Sequence, residues 1–439
     1  MRIGGVRIEI DTTDELIAAE SGLTLIASLL QKTRLQQRLE LTGKRSQIPD
    51  FDIFKSYAGL LAMGKTEFTK IEQFRDDVFF RLVLGLKTVP SEEILRQRLD
   101  QTPESWIGKI IEEGNRLIRV MQGPITPSID DLVPLDIDVS PFDNSQTKKE
   151  GVSRTYAGFD GYAPNFAYLG KNEGWCVNVE FREGKRHTLC DQGAFVRQSI
   201  RNAKELSPKI LVRMDSGNDS LDVLRICRDE EKTDFILKRN LRKDRPESYL
   251  ERIRKSPTAS MTKPREGKTV WRDNIEADVG LEKPLRMVYE VIERTIDKKG
   301  EMFLVPDIEV NAFWTSLEHD ADTVIRLYRE HGTSEQFHSE IKSDIGLERF
   351  PSGKFNTNRL VLVIACLVYN MLRWAGQSSL RYRVAGGKPR QRIRLKTIIQ
   401  DIVYMAAKLV KHARKWVLKI RSDLPHLEVF RGLAAHFAT

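Results

Sequence analysis

Strand and helix patterns alternate between residues 131 and 240, and this order constrains the fold more than any other feature of the chain. In VPLDIDVS, residues 133–140, Leu135 and Ile137 alternate with Asp136 and Asp138, which is typical of a strand. Two more strand-like segments follow, NFAYLG and WCVNVEFREGKR, and then a helix, the strand KILVRMD, a second helix and the strand DFILKR. This order predicts an α/β layer built on a mixed sheet.

The N-terminal region, residues 1–130, is predicted to be helical and to bind DNA. A helix ending at Gly85 and a second helix capped by Ser91, which carries Arg96 and Arg98, would suit a DNA-reading unit. Ordinary helical hairpins have the same pattern, so this unit has two interpretations.

After residue 240 the pattern changes twice. Residues 241–309 are predicted to form a β-rich insertion that begins with a polar, basic stretch, and the α/β pattern resumes over residues 310–375. The apolar run LVLVIACLVY, 360–369, is too short to span a bilayer, and the N-terminus lacks the apolar core of a signal sequence. We therefore expect a buried helix in a soluble protein without a membrane partner.

The C-terminal region, residues 376–439, is predicted to be basic and helical. Between residues 380 and 421, thirteen Lys or Arg side chains stand against one acid, Asp401. The segment TIIQDIVYMAAKLVKHARKWVLKI predicts an amphipathic helix with Lys408, Lys411, Arg414 and Lys415 on its polar side.

Charge and cysteine content narrow the class of partner. The chain has 71 Lys and Arg against 62 Asp and Glu, a formal charge of +9, which indicates an anionic partner. Its four cysteines are far apart and form no CxxC or His/Cys cluster, so neither a zinc site nor a disulfide framework is predicted. A reducing cytoplasm is the simplest location.

Three acids are candidate catalytic residues. Asp138 lies on the polar side of the first strand, Asp215 closes the strand KILVRMD, and Glu335 lies in the late helical segment YREHGTSEQFHSEIK. Each has an ordinary alternative. Asp138 would suit a solvated strand edge, and Asp215 lies in a strand-to-helix turn where Asn218 or Asp219 is the better candidate for the helix cap.

Glu335 shares one predicted helix face with three other polar residues. Tyr328, His331 and Lys342 fall within a sector of about 100° around it. Most charged helix faces are solvated and linked by ion pairs, and this is the alternative for the whole set. His338, beside this face, is interpreted as a surface histidine.

Together, the three acids suit a metal site. Three neighbouring carboxylates raise one another's pKa values and need a compensating cation. Oxygen ligands favour Mg²⁺ or Mn²⁺ over zinc, and two such ions can stabilise the attacking and leaving oxygens of a phosphodiester.

The chain resembles the DDE transposases of bacterial insertion sequences, in particular the group with a tyrosine–arginine–glutamate–lysine signature. Tyr328, Glu335 and Lys342 fit the spacing of this signature, whereas His331 stands at the arginine position. Both aspartates and the insertion before the glutamate fit as well. The resemblance implies an α/β RNase H-like catalytic core over residues 131–240 and 310–375, with a β-rich insertion and flanking helical N- and C-terminal regions.

The resemblance also implies the site residues and partners. Asp138, Asp215 and Glu335 would bind two Mg²⁺ ions, with Mn²⁺ as a substitute. The partner would be double-stranded DNA, both terminal inverted repeats and target, bound by a homodimer in the bacterial cytoplasm at the nucleoid. The expected DNA-binding residues are Tyr328, Arg329, His331, Lys342 and Trp271. Trp314 is a second stacking candidate, although core packing is its better interpretation.

The implied function is a DNA transposase that cleaves element ends by Mg²⁺-dependent hydrolysis and joins them to target DNA, by cut-and-paste. Two alternatives remain. One is a catalytically silent, transposase-derived repressor that binds DNA, and the other is a Mg²⁺-dependent nuclease that cuts without joining. The departure at His331 would favour the first alternative, and the three acids favour an enzyme.

Overall fold

The N-terminal region is mostly helical, as predicted. The computed structural model describes residues 9–39, 47–242, 244–297, 299–382 and 390–437, together with the backbone of residues 2–3 and 6–7. The elements are β1 Arg2–Ile3, β2 Val6–Arg7, β3 Leu16–Ala18, α1 Leu23–Gln31, α2 Leu35–Leu39, α3 Asp50–Ala62, a 3-10 helix Phe68–Phe74, α4 Val78–Val83, α5 Glu92–Asp100 and α6 Ser105–Val120. Ser91 caps α5 as expected, because its hydroxyl accepts a hydrogen bond from the amide of Ile94 at 3.3 Å.

A mixed sheet follows, which confirms the α/β prediction. Its first elements are β4 Val133–Val139, β5 Phe142–Asp143, β6 Ser153–Arg154, β7 Asp160–Tyr162, β8 Asn165–Leu169, β9 Trp175–Glu180, α7 Gln192–Lys204, β10 Ile210–Met214, α8 Leu221–Asp229 and β11 Thr233–Lys238. β4, β10 and β11 are parallel neighbours, and β8 and β9 continue the sheet antiparallel on the other side of β4. β5, β6 and β7 form a small separate sheet. β4 and β10 are central strands with both faces covered.

The strands predicted for the insertion extend this same sheet. The elements are α9 Pro246–Lys255, β12 Ser260–Arg265, β13 Lys268–Ala277, β14 Leu285–Ile296 and β15 Met302–Thr315. β15 pairs antiparallel with β11, and the nine strands run in the order β12-β13-β14-β15-β11-β10-β4-β8-β9. β15 therefore crosses the expected boundary at residue 309.

The late helices cover one face of the sheet. They are α10 Ala321–Arg329, a 3-10 turn Glu330–Thr333, α11 Ser334–Ser339, a π-helical turn Glu340–Asp344 and α12 Phe355–Ser379. Among the described residues, α12 is the one helix long and apolar enough to cross a membrane, but its apolar window is 100% buried in the fold. Asn370 of α12 exchanges hydrogen bonds of 2.9 and 2.8 Å with the backbone of Cys176, which covers the edge strand β9. The prediction of a buried helix is confirmed.

The C-terminal region is only partly helical, so the prediction of a basic helical region over 376–439 is wrong in its central part. The elements are α13 Leu395–Ile398, a π-helical turn Ile399–Val403, β16 Ala407–His412, β17 Lys415–Lys419 and α14 Leu427–Ala435. Ala413 and Arg414 both have positive φ, as a two-residue hairpin turn requires. The reason for the error is tertiary, because β3 from the other end of the chain pairs with β16 and stabilises the extended form.

Candidate active site

Two predicted catalytic acids lie at the carboxyl ends of neighbouring parallel strands. In the register of β4 and β10, Asp136 is opposite Arg213 and Ile137 is opposite Met214. Asp138 is the next residue of β4, and Asp215 directly follows β10. The register therefore brings these two carboxylates together at the edge of the sheet where α/β folds commonly bind ligands.

The environment of Asp215 shows that the two acids interact. Burial raises the pKa of Asp215, and the negative charge of Asp138 raises it further. Hydrogen bonds from the Gly217 amide, 3.1 Å, and the Asn218 side chain, 2.7 Å, partly offset this rise. Such a pair of carboxylates becomes more favourable when a cation lies between them.

The turn after Asp215 differs from the expectation. Neither Asn218 nor Asp219 caps α8, because both side chains are used elsewhere. Asn218 donates to Asp215, and Asp219 accepts a hydrogen bond from the Trp314 indole at 3.2 Å. Ser220 is the cap instead, since its hydroxyl accepts an amide of the first turn at 3.3 Å.

Asp136 belongs to a buried charge network beneath these acids. Its carboxylate accepts two hydrogen bonds from the Arg213 guanidinium, at 2.7 and 2.8 Å, and contacts Nδ1 of His331 at 2.9 Å. Arg213 also donates to the Leu327 carbonyl at 2.7 Å. Burial raises the pKa of Asp136, but the positive charges of Arg213 and His331 outweigh this effect, and the pKa is lowered. The network joins β4 and β10 to the end of α10.

His331 is thus placed differently from the other residues of the predicted polar face. It is 7% exposed and lies in the 3-10 turn, not on one continuous helix. Burial lowers the pKa of His331, but the charge and hydrogen bond of Asp136 outweigh this effect and raise it. At the arginine position of the signature, this chain therefore has a histidine that contacts the carboxylate of the buried Asp136, which also binds Arg213. Its expected contact with DNA stays a prediction.

Tyr328 and Lys342 lie beside the two acids. Burial raises the pKa of Tyr328, and the charges of Asp215 and Asp138 raise it further. Burial lowers the pKa of Lys342, an effect partly offset by the charges of Glu348 and Asp138. The Lys342 ammonium donates to the carbonyl of Pro141. Both side chains therefore lie near Asp138, and the DNA contacts expected of them stay predictions.

Glu335 begins the first full turn of α11, and its side chain is exposed. Within the described ranges, no group of three or more His, Cys, Asp and Glu side chains has the arrangement of a metal site. Asp138 and Asp215 lie at neighbouring strand ends, whereas Glu335 lies on α11 and does not form a three-residue cluster with them. Its role as the third ligand stays a prediction.

His338 is not a surface residue, so that interpretation is wrong. It is 5% exposed, and its Nε2 lies 3.4 Å from Oδ2 of Asp138. Its Nδ1 lies 3.2 Å from the hydroxyl of Tyr168 on β8. The preceding residue, Phe337, packs against Gly174, which has φ of +61°, and a Cβ there would lie 2.3 Å from its ring. Helix periodicity alone could not identify a partner on β8.

Tyr156 is a site residue that the sequence interpretation missed. Its hydroxyl donates to the carbonyl of Val139 at 2.8 Å, and its side chain is 71% exposed. Burial of the hydroxyl raises its pKa, and the charges of Asp138 and Asp215 raise it further. It lies in an irregular segment between β6 and β7, where no periodic pattern marks it.

The remaining candidates have identified neighbours. Arg329 donates to the buried carboxylate of Glu290 at 2.6 Å. Trp271 is half-buried, with the guanidinium of Arg254 5.7 Å from its ring centre. Trp314 is 5% exposed, as its core interpretation requires. The DNA contacts expected of Arg329 and Trp271 stay predictions.

The two arginines of the expected DNA-reading unit, Arg96 and Arg98, lie in different environments. Arg98 donates to Asp50 and to the carbonyl of Ile48, and its guanidinium therefore faces α3. Arg96 is exposed.

A comparison with known protein families assigns the chain to one of them. A family described as Transposase DDE domain, group 1, matches residues 2–439. No curated protein matches the chain. Among solved structures, the chain is similar to a cryo-EM structure of the piggyBac transposase synaptic complex with hairpin DNA, at 9% identity and a TM-score of 0.40, covering 88% of this chain and 77% of that one. The family match spans nearly the whole sequence. The chain belongs to the DDE transposase family.

Proposed function

We propose that the protein is a DNA transposase that binds the terminal inverted repeats of an insertion sequence, cleaves the element ends and joins them to target DNA by cut-and-paste. The observation that carries this proposal is the pairing of Asp138 and Asp215 at adjacent strand ends in a chain of the DDE family. The order β9-β8-β4-β10-β11, with β4, β10 and β11 parallel, supports an RNase H-like core.

The donor chemistry at this edge suits a hard divalent cation. Asp138 and Asp215 supply oxygen ligands. Burial and then the like charge of Asp138 raise the pKa of Asp215, and a cation would relieve this repulsion. We assign Glu335, exposed on α11, as the third ligand. Two Mg²⁺ ions, with Mn²⁺ as a substitute, would polarise the scissile phosphate and lower the pKa of a bound water.

The neighbouring side chains would position the phosphate. Lys342 supplies a positive charge beside Asp138, and the Tyr328 hydroxyl is kept protonated by its raised pKa, so that it can donate a hydrogen bond. Arg329 would reach a phosphate only by exchanging its bond to Glu290. The exposed ring of Tyr156 offers a stacking face at the entrance to the site.

Basic surfaces outside the site would hold the DNA backbone. On the hairpin of β16 and β17, Lys411, Arg414 and Lys415 are exposed, and Trp416 is 40% exposed beside them. Together with the formal charge of +9, this hairpin suits duplex DNA. We expect a homodimer to assemble on two DNA ends in the bacterial cytoplasm, at the nucleoid.

A cleavage and joining assay tests the proposal. The protein is incubated with Mg²⁺, DNA that carries the inverted repeats flanking its reading frame, and target DNA, and both cut ends and joined products are measured. Binding without cutting would identify the repressor, and cutting without joining would identify the nuclease.

Glu335→Gln is the informative variant in this assay. It should abolish cutting while leaving DNA binding intact, whereas Glu318→Gln, an exposed carboxylate on a distant loop, should cut like the wild type. An active Glu335→Gln protein would show that the third ligand is assigned wrongly.

A further inference from the structure

A buried histidine and tyrosine lie directly behind the first catalytic acid. The ring of His338 packs between Phe166 and Tyr168 on β8, at ring-centre distances of 5.1 and 5.2 Å and in edge-on geometry with both. Phe166 is opposite Asp138 in the register of β8 and β4. The sheet therefore fixes the orientation of the imidazole relative to the Asp138 carboxylate.

The hydrogen bond to Tyr168 sets the tautomer of this ring. The Tyr168 hydroxyl is fully buried, and its identified partner within the described residues is Nδ1 of His338, at 3.2 Å. A buried hydroxyl that does not donate a hydrogen bond is destabilised, so the hydroxyl donates and Nδ1 accepts. In a neutral ring, the proton then lies on Nε2.

A carboxylate oxygen of the catalytic site lies near Nε2 without completing a hydrogen bond to it. It is buried, and no group in the described residues meets the geometry of a full hydrogen bond to it. Its near neighbour is Oδ2 of Asp138, at 3.4 Å. Bonds between catalytic groups are often long before substrate binds, and a small movement of either side chain would close this one.

We propose that Tyr168 and His338 form a positioning pair for Asp138, in which Nε2–H of His338 holds Oδ2 and so sets the orientation of the carboxylate that binds metal. The idea rests on the proposed function, because it gives Asp138 a ligand role. It extends that function by adding two residues that touch neither metal nor DNA. Comparable partners of metal ligands change metal affinity by about 10–100-fold.

The test compares three variants by calorimetric titration of the full-length protein with Mn²⁺, without DNA. His338→Asn removes the donor and should weaken Mn²⁺ binding by about 10–100-fold. His338→Gln places an amide nitrogen near the position of Nε2 and should restore most of the affinity. Tyr168→Phe removes the bond that sets the tautomer and should weaken binding in the same direction. Circular dichroism checks that each variant is folded.

His319→Asn is the matched control. His319 also contacts an aspartate, with Nε2 2.9 Å from Oδ2 of Asp130, but Asp130 lies before β4, at the opposite edge of the sheet. This variant should bind Mn²⁺ like the wild type. If His338→Asn also binds like the wild type, or if His338→Gln is as weak as His338→Asn, the positioning role is wrong.

A second readout separates this inference from the proposed function. The chain has 7 histidines, so selective ¹⁵N-histidine labelling gives a simple NMR spectrum in which the two ring nitrogens of His338 can be assigned through His338→Gln. The proposal predicts a proton on Nε2 and none on Nδ1, and the opposite tautomer overturns it. A wild type with this tautomer that neither binds Mn²⁺ nor cuts DNA would refute the proposed function and, with it, the role of the pair.

Discussion

Replacement of Arg213 by Met should strongly destabilise the fold. Arg213 and Asp136 are 1% and 2% exposed and share two hydrogen bonds, and Arg213 also holds the carbonyl of Leu327. Breaking a buried ion pair from one side costs about 3–5 kcal/mol, because the remaining charge is uncompensated. His331 stays bonded to Asp136, so we expect the lower end, about 3 kcal/mol.

The assay is equilibrium unfolding in urea, followed by circular dichroism at neutral pH. The control is Arg197→Met, an exposed arginine on α7, which should change the free energy of unfolding by less than about 0.5 kcal/mol. The double variant Asp136→Leu with Arg213→Met should lose less than the two single variants combined, by about 1–3 kcal/mol. If Arg213→Met unfolds like Arg197→Met, the network does not stabilise the site as described.

Three further predictions concern pH and DNA. The pKa of His331 is raised in the folded state, so the stability from its protonated ring is present below about pH 6.5 and is lost as pH rises through the folded value. His331→Gln should therefore flatten the fall in unfolding free energy above pH 6.5, and an unchanged profile would contradict this assignment. Replacing both Lys411 and Lys415 by Ala should reduce the slope of log affinity against log salt by about 1.8 in a DNA-binding titration, and an unchanged slope would exclude the hairpin from the interface. Tyr156→Ala should weaken binding of an element end about tenfold while Tyr156→Phe binds normally, and equal binding by both would remove the stacking role.

Much of the fold could be predicted from local pattern. The alternation in VPLDIDVS gives β4, and the apolar run over residues 360–369 gives the buried α12. The failure at residues 407–419 has a different cause. The spacing of Lys408 and Lys411 suits a helix face, but the pairing of β3 with β16 outweighs this local preference.

Only the part of the site that depends on local sequence spacing could be predicted. The proximity of Asp138 and Asp215 could be predicted from their positions at strand ends, because the carboxyl ends of parallel strands meet at one edge of a sheet. The contacts of His331 and His338 depend on Asp136 and Tyr168, which lie on other elements far away in the chain. A helical pattern cannot identify such partners, so it predicts these histidines at the surface or in contact with DNA.

The most direct test of the account is the position of metal in crystals of the protein with DNA ends, measured by anomalous scattering from Mn²⁺. The account predicts peaks between Asp138 and Asp215, with the Glu335 carboxylate bound to at least one ion. Peaks that exclude Glu335, or the absence of any peak at the carboxyl ends of β4 and β10, would contradict it.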